Sequence, residues 1–227
     1  MRRRILALVA LATLVVPAAP ALAGGGPVYR FSAIGEGASA YWTTEPADGQ
    51  PIPNVVYTTT TLSTSEGVIR EDGSRSFDRH LALIREVHAY DDAGNYIIIS
   101  DTFGFADAGK VKFSVSGGLK RASAIATVAL STCTVDALGN STCVDTGSGS
   151  VVASWTGQGD VVKSPHQLHV HSSDYNETFR DRSAFRQASV SASLNGVDLG
   201  LGAQSVFADL STGSSRTIVI CRGSGSC

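Results

Sequence analysis

The chain has 227 residues, with 18 basic and 20 acidic side chains and a formal charge of −2. That slightly acidic, evenly spread balance argues against a nucleic-acid partner and against binding to anionic membrane surfaces. No later apolar run reaches the roughly 20 residues of a membrane-spanning helix. Ser, Thr, Gly and Val dominate and long helix-forming runs are scarce, so the expectation is an all-β chain with many turns.

Arg2-Arg3-Arg4, the apolar stretch Ile5 to Val16 and Ala21-Leu22-Ala23 read as a signal peptide with cleavage after Ala23. This predicts a secreted or extracellular protein without a membrane span. Removing 23 residues leaves 204, and losing three arginines takes the formal charge from −2 to −5. Predicted strands follow in order at Val28–Phe31, Ala38–Thr43, Asn54–Leu62, Tyr96–Phe103, Val111–Val115 and Ala124–Val135. The second half adds Val151–Trp155, Leu168–His171, Ala188–Leu194, Val206–Leu210 and Thr217–Cys221. Gly, Asp, Asn and Pro punctuate them, and 67–75 reads as an inserted polar loop.

Two stretches share an order of residues: Trp42, Phe77, Arg85 and Phe105-Ala106-Asp107, then Trp155, Phe179, Arg186 and Phe207-Ala208-Asp209. The expected fold class is therefore tandem antiparallel β-sandwich or barrel units related by internal duplication. The units run over 24–118 and 119–227, after the signal peptide at 1–23. One larger sandwich built from both is the alternative. Trp42 and Trp155, each soon after a Gly-x-Gly turn, read as core anchors.

Ser154-Trp155-Thr156-Gly157-Gln158-Gly159, followed by Asn176-Glu177-Thr178-Phe179-Arg180, resembles a pattern in uncharacterised exported bacterial β proteins, where W-T-G-x-G precedes N-x-T-F-R. The resemblance covers roughly residues 120–215. It implies a secreted all-β fold and no known activity.

Four cysteines in an exported chain read as disulfides. Cys133 and Cys143 flank a turn, and Cys221 and Cys227 flank a short flexible loop, so local pairing is favoured over pairing between hairpin and tail. In Pro165-His166-Gln167-Leu168-His169-Val170-His171, strand alternation puts His169 and His171 on one face. Such a pair can ligate Zn or Cu, with His80 or His88 as third ligand. Plain solvation of the two imidazoles accounts for the same pattern. Arg180, Arg182 and Arg186 with Asp181, and Arg70, Arg75, Arg79 and Arg85 with Asp72 and Asp78, form two mixed-charge patches that suit an anionic ligand such as an acidic glycan. Solvated edge charges are the plainer account.

Gly104-Phe105-Ala106-Asp107-Ala108-Gly109-Lys110 has phosphate-loop spacing, but Val111 stands where a hydroxyl is required, so it reads as a turn. Asp91-Asp92 with Asn95 offers oxygens for calcium, and a hairpin turn explains the same residues better. No nucleophile elbow or dinucleotide fingerprint is present. The sequence therefore favours a secreted non-enzymatic β protein with a binding or structural role, its partner an unidentified extracellular ligand or surface component. A metal-dependent extracellular enzyme using His169 and His171, and a carbohydrate-binding module with an exposed tryptophan, are the alternatives.

Overall fold

Alternation of apolar and polar residues along very long strands builds the whole molecule. The computed structural model describes residues 27–48, 51–136 and 138–221. The expected signal segment and Cys227 lie outside the described residues. The strands are β1 (Val28–Thr43), β2 (Val56–Glu71), β3 (Ser74–Tyr90), β4 (Tyr96–Ala106), β5 (Val111–Val115) and β6 (Arg121–Val135). They continue with β7 (Ser141–Gly157), β8 (Val162–His171), β9 (Tyr175–Leu194), β10 (Val197–Asp198) and β11 (Ser205–Cys221).

The fold is all-β and antiparallel. Most strands pair with a neighbour in sequence, β5, β8 and β10 lie beside β6 and β9, and β11 returns to pair along the full length of β1. The ladders β1-β2-β3-β4-β6-β7-β9-β11-β1 thus close a ring of eight strands. Two walls of that ring are jogged. β4 pairs with the far part of β6 and β5 continues along its near part, and β7 passes into β8 along β9 in the same way. The phosphate-loop look-alike is the jog between β4 and β5, where the Lys110 amide donates to the Asp107 carbonyl (2.9 Å).

Both expected units enter this one ring: 24–118 supplies β1 to β5 and 119–227 supplies β6 to β11. The ladders do not superpose the two residue series on each other. Trp42 lies on β1 and Trp155 on β7, strands that run in opposite directions round the ring. Phe105-Ala106 ends β4, whereas Phe207-Ala208 lies near the start of β11. The Gly-x-Gly stretches before the tryptophans are interior to β1 and β7 rather than turns.

A single core fills the ring. Trp42 and Trp155 are 4% and 1% exposed and pack with Leu62, Leu81, Leu83 and Val128. Small residues make room for them: Ala38, Ala40, Ala122, Ala124, Ala126 and Ala153 point inward between the large ones. Gly149 is part of the same fit, since a Cβ there would stand 2.6 Å from Leu194 Cδ1 and 2.9 Å from Leu130 Cδ1. With both tryptophans buried, neither is the exposed stacking platform of the carbohydrate-binding alternative.

The polar stretch 67–75 is not a loop. It is the end of β2, the start of β3 and a two-residue turn at Asp72 (φ 43°) and Gly73 (φ 90°). Consecutive positive φ values fit the hairpin twist, and Asp-Gly adopts them readily. At the other end, Asp91 and Asp136 make the same turn twice. Each accepts from the amides two and four residues on and from the Asn95 or Asn140 side-chain amide, at 2.8–3.0 Å. Those hydrogen bonds, the asparagine side chain first, hold both carboxyls below the ordinary aspartate value. Of the residues considered for calcium, Asp91 has both oxygens engaged in the turn, and Asp92 accepts from Asn54 Nδ2 (2.7 Å).

Cys133 and Cys143 are direct cross-strand partners on β6 and β7 and form a disulfide. Cys221, buried at the end of β11, is not a free thiol; its expected partner Cys227 lies outside the described residues. Replacing Cys133 and Cys143 by serine is expected to lower stability by about 2–3 kcal/mol, the loop-closure value for a short loop. Denaturant unfolding of oxidised wild type and the double variant measures it.

Candidate functional site: an arginine row across five strands

The ring is longer on one side than on the other. β8, β9, β11, β1, β2 and β3 run on past the packed core as a curved sheet, ending at the β2–β3 and β8–β9 turns. Paired residues share a face, so the inner face can be followed from the core residue Ala38 outward. Ala38 is level with Leu210 and Thr64. The next inward residues along β1 are Glu36, Ile34 and Ser32, and along β2 they are Glu66, Val68 and Arg70.

At the level of Ser32 the ladders place Arg180, Arg216, Ser32, Arg70 and Arg75 side by side on β9, β11, β1, β2 and β3. Four of five adjacent positions are arginine, and all four side chains are exposed. Arg182 is the next inward residue on β9, and Arg30 the next on β1 toward the open end. Neither the row nor Arg182 is ion-paired among the described residues, where Arg79–Glu66 (2.6 Å) is the Lys/Arg–carboxylate pair. Arg180 faces Arg216, and Arg70 faces Arg75, directly across a strand gap. Like charges so placed are destabilising, by up to about 1 kcal/mol for each pair.

The same alternation sends acids to the outer face. Asp181 and Glu177 on β9, and Asp78 on β3, all point away from the arginines. What reads along the chain as mixed charge is, in space, divided between the faces, with these arginines inward and Asp181, Glu177 and Asp78 outward. A rung of glycines, Gly213, Gly35 and Gly67, crosses β11, β1 and β2 on that outer face. A Cβ on Gly35 or Gly67 would lie 3.1 Å from the next strand's carbonyl oxygen, a tightness that belongs to a sharply coiled sheet.

Glu36 and Glu66 form the floor between the row and the core. Arg79 holds Glu66 through Nε (2.8 Å) and Nη2 (2.6 Å), and its guanidinium lies 5.1 Å from the Phe77 ring centre. Glu36 has no such cation, and burial, then the Glu66 charge, pushes its carboxyl up. With a raised folded value, the stability due to this group is present below the ordinary glutamate value and lost as pH rises through the folded one. Glu36→Gln is therefore expected to raise the melting temperature at neutral pH. It should also flatten an increase in anion affinity on acidification, since the raised wild-type Glu36 carboxyl begins to take up its proton above the ordinary glutamate value. Calorimetry at neutral and mildly acidic pH reads both effects.

The remaining sequence candidates divide. His169 and His171 do share a face, the inner one, at the β8 edge of this sheet. Each is held across the strand gap, His169 Nδ1 with Thr178 Oγ1 (3.2 Å) and His171 Nδ1 with Asn176 Oδ1 (3.0 Å). Their expected third ligands are elsewhere. His80 lies on the outer face of β3 beside Asp78, and His88 is buried at the far end of the same strand. Among the described residues no three His, Cys, Asp or Glu side chains are placed to hold a metal ion. Arg186 stands apart from the row: its Nη1 donates to the Gly118 carbonyl (3.3 Å) and its stem lies against Gly157, closing the bottom of the core. Arg85 faces inward at the opposite end, level with Thr60 and Thr102.

Sequence reasoning missed Arg216, which joins the two arginine patches; its cue is an arginine at an inward position of an alternating strand. It also missed a cluster on the outer face near the β1–β2 loop. There His88, fully buried, has Nε2 2.8 Å from Glu45 Oε1 and Nδ1 3.3 Å from Glu86 Oε1. Tyr90 donates to Glu45 (2.8 Å), Tyr96 donates to Glu86, and the Ile52 amide donates to the Tyr57 hydroxyl (2.7 Å). Burial, then the hydrogen bond to Glu45, pushes Tyr90 up to about 12. The cluster clamps the loop to the barrel wall. Its cue was Glu86-x-His88-x-Tyr90, three polar groups on one strand face. In comparisons with known proteins, the chain matches no family model, no curated protein and no solved structure.

Proposed function

We propose that the protein is an extracellular, non-enzymatic binding protein whose curved inner sheet takes an anionic ligand. The observation that carries this reading is the row Arg180, Arg216, Arg70 and Arg75, exposed and without carboxylate partners among the described residues, in a chain whose formal charge is negative. Guanidinium groups match carboxylate, sulfate and phosphate oxygens bidentately, which makes them the natural recognition group for such ligands. Opposed like charges cost the free protein stability, and a bound anion reverses that cost. The Cys133–Cys143 disulfide supports an oxidising compartment, as does the sequence of residues 1–23.

Titration calorimetry with heparin, and with neutral dextran as control, tests the reading. Heparin is expected to bind with an affinity that falls steeply with added salt, and dextran not to bind. Absence of heparin binding at low salt would falsify it.

A further inference from the structure

The arginine row is not continuous. Arg180 and Arg216 are direct partners, Arg70 and Arg75 are direct partners, and Ser32 of β1 separates the two pairs. We propose that each pair grips one anionic group of the same ligand, which is a linear acidic polysaccharide lying across the strands. This rests on the anion-binding reading above and specifies its ligand.

The spacing follows from the sheet. Adjacent strands are about 4.8 Å apart, so the two pair centres, three strand gaps from each other, are about 14 Å apart along the sheet. Curvature brings the side-chain tips somewhat closer. A single sulfate or carboxylate can reach one pair but not both. A chain carrying an acidic group on successive repeats reaches both, and its uncharged portion passes over the Ser32 hydroxyl. A nucleic-acid strand fits less well. It carries a charge at every nucleotide, about 3.4 Å apart along one strand of a duplex, whereas the row is interrupted at its centre. The inner face also offers single-stranded bases little to stack on, since Phe77 is flanked by the Arg79 guanidinium.

Joining two weak sites through one flexible chain makes the second contact intramolecular, which raises affinity by a factor of about 10² or more. The test is a length series of heparin fragments, disaccharide to octasaccharide, titrated into wild type, Arg70→Ala/Arg75→Ala and Arg180→Ala/Arg216→Ala. Circular dichroism and melting curves check that each variant is folded. In wild type, affinity is expected to step up by about a hundredfold once the fragment spans both pairs. Either double variant should lose the step yet still bind the disaccharide at the intact pair. A smooth rise with length that is equal in all three proteins contradicts the two-pair assignment while leaving anion binding in place. So does a single-stranded DNA oligonucleotide that binds more tightly than the octasaccharide. If no fragment of any length binds, the anion-binding reading itself fails.

Discussion

Alanine at Arg70, Arg75, Arg180 and Arg216 together is expected to abolish measurable heparin binding and to raise the melting temperature. Each charge-assisted contact is worth about 1.5–3 kcal/mol, so four lost contacts weaken binding by a factor of about 10⁴ or more. The salt dependence should shrink with them, because fewer counterions are exchanged. The stability effect has the opposite sign for a reason visible in the ladders. Arg180 faces Arg216 and Arg70 faces Arg75, with no carboxylate paired to any of them among the described residues. Removing both like-charge pairs relieves up to about 1 kcal/mol each. Residues kept for folding do not stabilise the protein when deleted; residues kept for a ligand can. Titration calorimetry and a melting curve on one variant read both effects, and a variant that binds normally or melts lower runs against the assignment.

Trp155→Ala is expected to be the most destabilising single change. The indole is 1% exposed, and its Nε1 donates to the Ser39 carbonyl (2.9 Å) on the opposite wall of the ring. Truncating a buried tryptophan costs about 3–5 kcal/mol, and the orphaned carbonyl adds about 1 kcal/mol. Against a total of about 5–15 kcal/mol, that is a large fraction. For a chain of this size the melting temperature falls by roughly 10 °C or more. The effect reaches residues far away in sequence. Trp42, now the sole indole, packs in the same core cluster, so its fluorescence should report the same lowered midpoint. Two independently folded units would leave the Trp42 transition where it was in wild type.

Much of the architecture could be read from the chain, because the core half of each strand alternates cleanly. β6 runs Ala122, Ala124, Ala126 and Val128 inward, with Arg121, Ser123, Ile125 and Thr127 outward, and β5 was legible to the residue. β3 was lost for the opposite reason. Its first half lies beyond the core, where Arg75, Asp78 and Arg79 face solvent or polar groups on both sides, so the apolar period that marks a strand disappears. Polar sequence there was read as loop, although backbone pairing with β2 is uninterrupted. Residue order does not record direction: Trp42 and Trp155 look equivalent in a list and stand on strands of opposite direction in the one ring. The arginines were half visible. Arg180-Asp181-Arg182 reads as mixed charge along the chain, and only alternation plus ladder register shows that the arginines share a face with Arg216, Arg70 and Arg75.

Amide chemical-shift mapping by NMR, with a heparin octasaccharide titrated into the full protein, tests the arginine face most directly. The expected result is a band of shifts crossing β9, β11, β1, β2 and β3 at Arg180, Arg216, Ser32, Arg70 and Arg75, with the β6–β7 wall and the His88 cluster unmoved. Shifts centred on those other regions, or scattered over every basic residue alike, would contradict it.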